Sequence, residues 1–156
     1  MATNNELKQT LIKHLEGGEA FMPVDEMLQK ITYERLGERP KNLPYSFYEL
    51  FYHMWFTQKD ILNYCIREDY KAHSWPDGYW PQEQSPKSKE DWKGLKNAFF
   101  DDRQALTNLL STSELSEPVP SNPNHSFFRE ALLVIEHSAY HSGQLLIILR
   151  ELGLHS

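Results

Sequence analysis

One cysteine, Cys65, stands in a chain of 156 residues, so no intramolecular disulfide can form. Lys and Arg number 16 against 22 Asp and Glu, a net charge of −6, and nowhere do the basic residues gather into the patch that binding a phosphate backbone requires. No nucleic-acid partner is expected. Apolar runs are short: Leu145 to Leu149 falls well under the roughly 20 residues of a membrane helix, so no membrane partner is expected either. The opening stretch, Met1 to Glu6, lacks a basic segment followed by an apolar one and does not read as a secretory leader, which makes the cytoplasm the expected location. Strand-like alternation, internal repeats and low-complexity tracts are also missing.

What remains is a helical pattern. The length predicts a single domain over 1–156 with an ordinary core, and the aromatic residues, 13% of the chain, concentrate before Phe100 as a packed helical interior would want. Thr3 and Glu6 form a capping box ahead of Leu7, Leu11, Ile12 and Leu15, which share one face. Gly17 and Gly18 end that helix. Pro23 then opens a short second one with Met27, Leu28 and Ile31 inward, so the first arm is broken. After a loop holding Pro40 and Pro44, Ser46 and Glu49 form another capping box, and a long helix runs from about Phe47 to Arg67. On it Leu50, His53, Thr57, Ile61 and Tyr64 repeat at three and four, which turns His53 inward. Cys65 falls on the apolar stripe and reads as a small buried hydrophobe rather than a catalytic thiol.

Trp75 to Pro81 is turn-rich and aromatic, and is expected to fold over one end of the helices. Ser88 opens a further helix to about Leu110, with Trp92, Leu95, Phe99, Leu106 and Leu109 inward. A segment with three prolines, Ser111 to Asn124, leads to the last helix, Phe127 to Leu152. The expected fold class is all-α: a four-helix bundle with long crossover loops.

His137 and His141 lie four apart on that last helix, one above the other on the same face, and can reach one cation. Alone this spacing is weak, because it lacks the glutamate of the HExxH zinc-protease motif. Three neutral imidazoles from His53, His137 and His141 would suit a divalent transition metal and leave a position free for water or substrate. Ligand histidines donate their second ring N–H to a carboxylate or carbonyl. Glu49, four before His53, and Gln144, three after His141, are the candidates, although Glu49 reads first as a helix cap. Gln144 or Tyr140 could instead orient a substrate, and Tyr140 also reads as a core aromatic. His14, His73, His125 and His155 lie at surfaces, loops or the terminus and receive no role.

Two segments resemble the DinB/YfiT-like superfamily of metalloenzymes: Leu36 to Pro40 with Leu43 to Met54, and Ile135 to Leu145 continuing to Gly153, the latter similar to its HxxYHxGQ helix. The Trp-Pro loop has a counterpart in the family as well. A departure falls at Phe21, where many relatives place a histidine. The resemblance implies a metal, Zn or Ni foremost, held by His53, His137 and His141, and a homodimer. For the dimer face, Tyr48, Phe51, Tyr52 and Trp55 are candidates; they equally suit packing beneath the loops. It further implies a metal-dependent S-transferase joining a low-molecular-weight thiol to an electrophilic small molecule, with the Trp75 to Pro81 loop walling the substrate pocket. Arg39, Lys41 and Arg150 are possible partners for an anionic thiol. The alternatives are a metal-dependent hydrolase and a non-catalytic, stress-responsive metal-binding dimer. No catalytic side chain is singled out.

Overall fold

The computed structural model describes residues 3–156. Met1 and Ala2, part of the stretch read for a leader and of the expected 1–156 domain, lie outside the described residues. Five α-helices follow in order: α1 (Asn4–Glu16), α2 (Val24–Lys30), α3 (Phe47–Ile66), α4 (Lys89–Thr112) and α5 (Phe127–Glu151). Capping explains where they begin. Thr3 and Ser46 each accept from the backbone N–H of the glutamate three residues on, whose carboxylate returns to the cap's own N–H, while Ser88 and Ser126 cap α4 and α5 from the side chain alone. Gly17 and Gly18 take positive φ beyond the end of α1, a conformation that costs glycine little.

Helix α3 packs on α4 and α5, and α1 packs on α4 and α5, so the order around the bundle is α1, α4, α3, α5. Helices α1 and α3 stand diagonally, as do α4 and α5. The chain therefore crosses the bundle twice, which is what the long loops predict. Helix α2 packs against α5.

A two-stranded antiparallel hairpin, β1 (Pro118–Val119) and β2 (Asn122–Ser126), precedes α5, where the sequence predicts no strand. Two to five residues are too few to show alternation. A hairpin with no third strand also tolerates Pro118 and Pro123, which a central strand would exclude. Val119 turns inward to the bundle.

The interior consists of two apolar clusters with a polar belt between them. One gathers Met27, Leu50, Phe51, Met54, Phe99, Leu145 and Ile148; the other gathers Leu15, Leu62, Leu106, Leu110, Val119 and Val134. Each such side chain contributes about 1.5–3 kcal/mol by leaving water. Leu7 and Leu109, expected inward, are exposed and half-buried respectively, and Leu110 takes the inward place of Leu109. By length and apolar content alone α5 is long and apolar enough to cross a membrane, a property that its short apolar runs hide. Here its Val134, Leu145, Ile148 and Leu149 are buried within the two clusters.

Between the clusters α3 contributes His53, Thr57 and Gln58, α4 contributes Arg103, and α5 contributes His137, Ser138, His141 and Ser142. Arg103 is 7% exposed, lies over the Phe99 ring at 4.4 Å and donates from Nε to Gln58 Oε1 at 3.1 Å; burial pushes its pKa down to about 10. Burying so many polar groups is costly unless they bond or serve a purpose.

Candidate metal centre

His53 faces α5 because it lies one turn from the buried Leu50 and Thr57 on α3, and His137 and His141 face α3 because they share one side of α5. Each offers one ring nitrogen, and the three lie within 4.8 Å of one another. The ring centroids are 5.0 Å apart for His53 and His137, 4.8 Å for His53 and His141, and 4.3 Å for His137 and His141. The sequence-predicted trio is thus one cluster in space.

Their outer nitrogens decide which lone pairs face inward. His53 Nδ1 is 3.1 Å from the Tyr79 carbonyl oxygen. A carbonyl can only accept, so Nδ1 carries the proton and Nε2 keeps a lone pair. His141 Nδ1 donates to Gln144 Oε1 at 2.5 Å, with the same consequence. His53 Nε2 then sits 3.1 Å from His137 Nε2. Two lone pairs at that distance repel, so His137 either places its own proton between the rings or the nitrogens share a cation. The donor set fits a divalent transition metal.

All three rings are held neutral, the form a ligand needs. Burial pushes the pKa of His53 down to about 4, against the opposing Tyr79 bond, and that of His137 down to about 3, with the neighbouring histidines adding to the fall. Burial also lowers His141, partly offset by its bond to Gln144.

Of the two candidate partners, Gln144 lies against His141, and Glu49 is turned away from His53. Glu49 is 7% exposed at the start of α3, where it closes the capping box on Ser46 N at 2.7 Å and pairs with both Arg39 Nε, at 2.9 Å, and Arg39 Nη2. Burial by itself would raise its pKa, but the bonds to Arg39 and Ser46 outweigh that and hold it below the usual carboxylate range. One helical turn separates it from His53, yet its bonds turn it the other way. The acceptor for His53 is a backbone carbonyl on the far loop, which no spacing in α3 reveals.

That loop reaches the site otherwise than expected. Trp80 stacks flat on the His53 ring, centroids 4.2 Å apart and planes 2° from parallel, and stacks in turn with Tyr45 at 5.8 Å. Trp75 is 71% exposed, meets the Tyr79 ring at 5.2 Å and does not line the cleft. The apolar cleft beside the histidines, about 380 Å³, is instead lined from α5 by Leu133, Glu136, His137 and Tyr140. Tyr140 is not a core aromatic: it is 65% exposed, with its ring against His141 at 4.9 Å. Glu136 was legible as a carboxylate one residue before a ligand candidate, and Asp60 as an acid seven residues beyond His53 on the same face; neither stands out from the sequence.

The remaining candidates fall elsewhere. Tyr48, Phe51, Tyr52 and Trp55 do not form an exposed dimer face: Phe51 is fully buried against Trp92 and Phe99, Tyr48 also meets Trp92, and Trp55 donates to Asp102 at 3.0 Å. Lys41 and Arg150 do not line the cleft, and Arg39 is engaged by Glu49. Phe21 is half-buried beside Gly17. His125 bonds the Tyr64 hydroxyl at 2.7 Å and His73 sits 3.7 Å from Asp60; neither joins the cluster, nor do His14 and His155. Cys65 is buried, and that burial pushes its pKa up to about 12, so it is no nucleophile at neutral pH.

Two packed helices that turn three neutral imidazoles toward one point, inside a crossed bundle, define a class of helical protein able to hold a metal ion. Within that class the chain belongs to the DinB superfamily, whose family model matches residues 19–145. No curated protein and no solved structure matches the chain.

Proposed function

We propose that this protein is a metal-dependent transferase of the cytoplasm, joining a low-molecular-weight thiol to an electrophilic small molecule, with His53, His137 and His141 holding one Zn or Ni ion. The observation that carries the reading is a cluster of three neutral imidazoles, one of which, His137, lines an apolar cleft. When bound, such an ion supplies Lewis acidity that lowers the pKa of a thiol and furnishes a nucleophile at neutral pH.

The chain's own residues supply the rest. Gln144 and the Tyr79 carbonyl keep two ligand lone pairs turned inward, and Trp80 covers one face of His53 against water. Leu133 and the Tyr140 ring offer the electrophile an apolar surface, and the Tyr140 hydroxyl orients it. In the transfer the thiol gives up its proton, a sulfur–carbon bond forms, and the leaving group departs with its electron pair; Glu136 stands at the cleft to take the proton. The cleft carries a carboxylate and neither Lys nor Arg, which favours a thiol of little negative charge. The homodimer is carried over as part of this proposal, and sedimentation equilibrium of the native protein reads it.

The test incubates Zn- or Ni-loaded protein with 1-chloro-2,4-dinitrobenzene and, in turn, cysteine, 2-mercaptoethanol and glutathione, following the thioether by absorbance. Thioether formation that needs both thiol and metal, and that His141→Ala abolishes, is expected. No rate above the uncatalysed background with any thiol overturns the reading, and turnover of ester substrates without thiol points to a hydrolase instead.

A further inference from the structure

Asp60 lies two turns beyond His53 on α3 and is only 7% exposed. Among the described residues no Lys or Arg pairs with it. Its partners are the Tyr70 hydroxyl, 3.0 Å from both carboxylate oxygens, the Tyr79 hydroxyl, 2.6 Å from Oδ2, and His73 Nε2 at 3.7 Å. A carboxylate buried without a cation is costly, and folds retain such groups where they hold something in place.

What Asp60 holds is Tyr79. Residues 71–78 are all exposed, Tyr79 N–H bonds only within its own turn, to Pro76, and the other ties of the segment to α3 are edge contacts of Phe56 with the Tyr79 ring at 5.3 Å and with His73 at 4.9 Å, neither of which aims the Tyr79 carbonyl as a hydrogen bond does. The ring of Tyr79 reaches down to Asp60 while its carbonyl accepts from His53 Nδ1, and the next residue, Trp80, stacks on the same imidazole. Asp60 thus supplies the polar tie, beside the ring contact with Phe56, on the backbone segment that fixes both the tautomer and the plane of His53. Tyr45 steadies Trp80 by stacking but supplies nothing to the carbonyl.

We infer that Asp60 is a positioning residue for His53, acting through the Tyr79 hydroxyl and carbonyl. The inference rests on the reading of His53 as a metal ligand. Asp60 touches no reacting atom. Its effect is to keep the His53 lone pair on Nε2, turned toward His137 and His141.

Two measurements on the full chain test it: Zn affinity by competition with a chromogenic chelator, and the His53 tautomer in metal-free protein from ring ¹⁵N shifts. Tyr79→Phe and Asp60→Leu, which removes the acceptor, are expected to weaken Zn binding about 10-fold or more, and to change His53 from the Nδ1–H form to a mixture of tautomers. Tyr70→Phe, which removes a donor to Asp60 but leaves the clamp, stays within about threefold of native, in keeping with the small net worth of one hydrogen bond. If Asp60→Leu fails to fold, Tyr79→Phe decides, because it removes one hydroxyl and keeps the ring and its contact with Phe56. A purely structural role would lower thermal stability without moving the tautomer. Native protein that binds Zn, with Tyr79→Phe matching it in affinity and tautomer, overturns the inference. Native protein that binds no Zn overturns the metal reading instead, and then an unchanged tautomer in Tyr79→Phe overturns this one separately.

Discussion

Replacing Gln144 by Leu keeps the size of the side chain and removes the acceptor for His141 Nδ1–H, at present 2.5 Å away. In metal-free protein that bond joins two neutral groups and is worth about 0.5–1.5 kcal/mol net; beside a ligated cation the imidazole N–H is polarised and the bond is worth about 1.5–3 kcal/mol. The difference, about 1–2 kcal/mol, is lost from metal binding alone. It corresponds to a fall in affinity of about 5- to 30-fold, within the range found for lost ligand braces. Freed of its acceptor, His141 also shares its proton between both nitrogens, which adds to the fall. Metal-free stability falls by no more than the bond's own worth there, about 0.5–1.5 kcal/mol. Zn affinity by chelator competition and thermal melts of metal-free protein measure the two effects. Gln144→Glu, still an acceptor, restores affinity to native or better. Affinity for Gln144→Leu within twofold of native, or Gln144→Glu as weak as the Leu variant, refutes the reasoning.

Glu49→Ala removes the return bond of a capping box and the partner of Arg39, costing about 1–3 kcal/mol of stability by chemical denaturation; Zn affinity stays within twofold, and a variant that loses metal while keeping stability would restore Glu49 to the site. Acid acts through the histidines. His53 and His137 titrate near 4 and 3 in the fold but near 6.5 when unfolded, so below pH 6.5 the unfolded chain takes up protons that the fold refuses. Metal-free protein therefore loses stability as pH falls from 6.5 to about 3, and His137→Gln flattens part of that loss in melting curves; an identical slope in the variant contradicts the burial argument.

Helix starts were legible because capping chemistry is local: Thr3 with Glu6 and Ser46 with Glu49 announce α1 and α3 within four residues. The pairing of His137 with His141 was legible for the same reason, being set by helical pitch. His53 could be placed on an inward face by periodicity, and its link to a helix 84 residues away rested on the inward faces of all three histidines together with the resemblance. Contacts made by backbone or across loops left no trace. The Tyr79 carbonyl acts through no side chain, and the clamp of Asp60 on Tyr79 spans 19 residues, from inside α3 across a loop. Nothing in the sequence around Arg103 singles it out, yet it is buried, with Gln58 and the Glu16 carbonyl accepting from it. Tyr140 follows the ligand periodicity closely enough to suggest the core, whereas its position beside His141 points it out over the cleft.

The central claim is that three imidazoles hold one ion, and elemental analysis of protein purified without an affinity tag tests it most directly. About one divalent transition metal per chain, lost in each of His53→Ala, His137→Ala and His141→Ala while the helical circular dichroism persists, is the predicted result. Native protein that takes up no metal after incubation with Zn or Ni, or variants that retain it in full, would contradict the account.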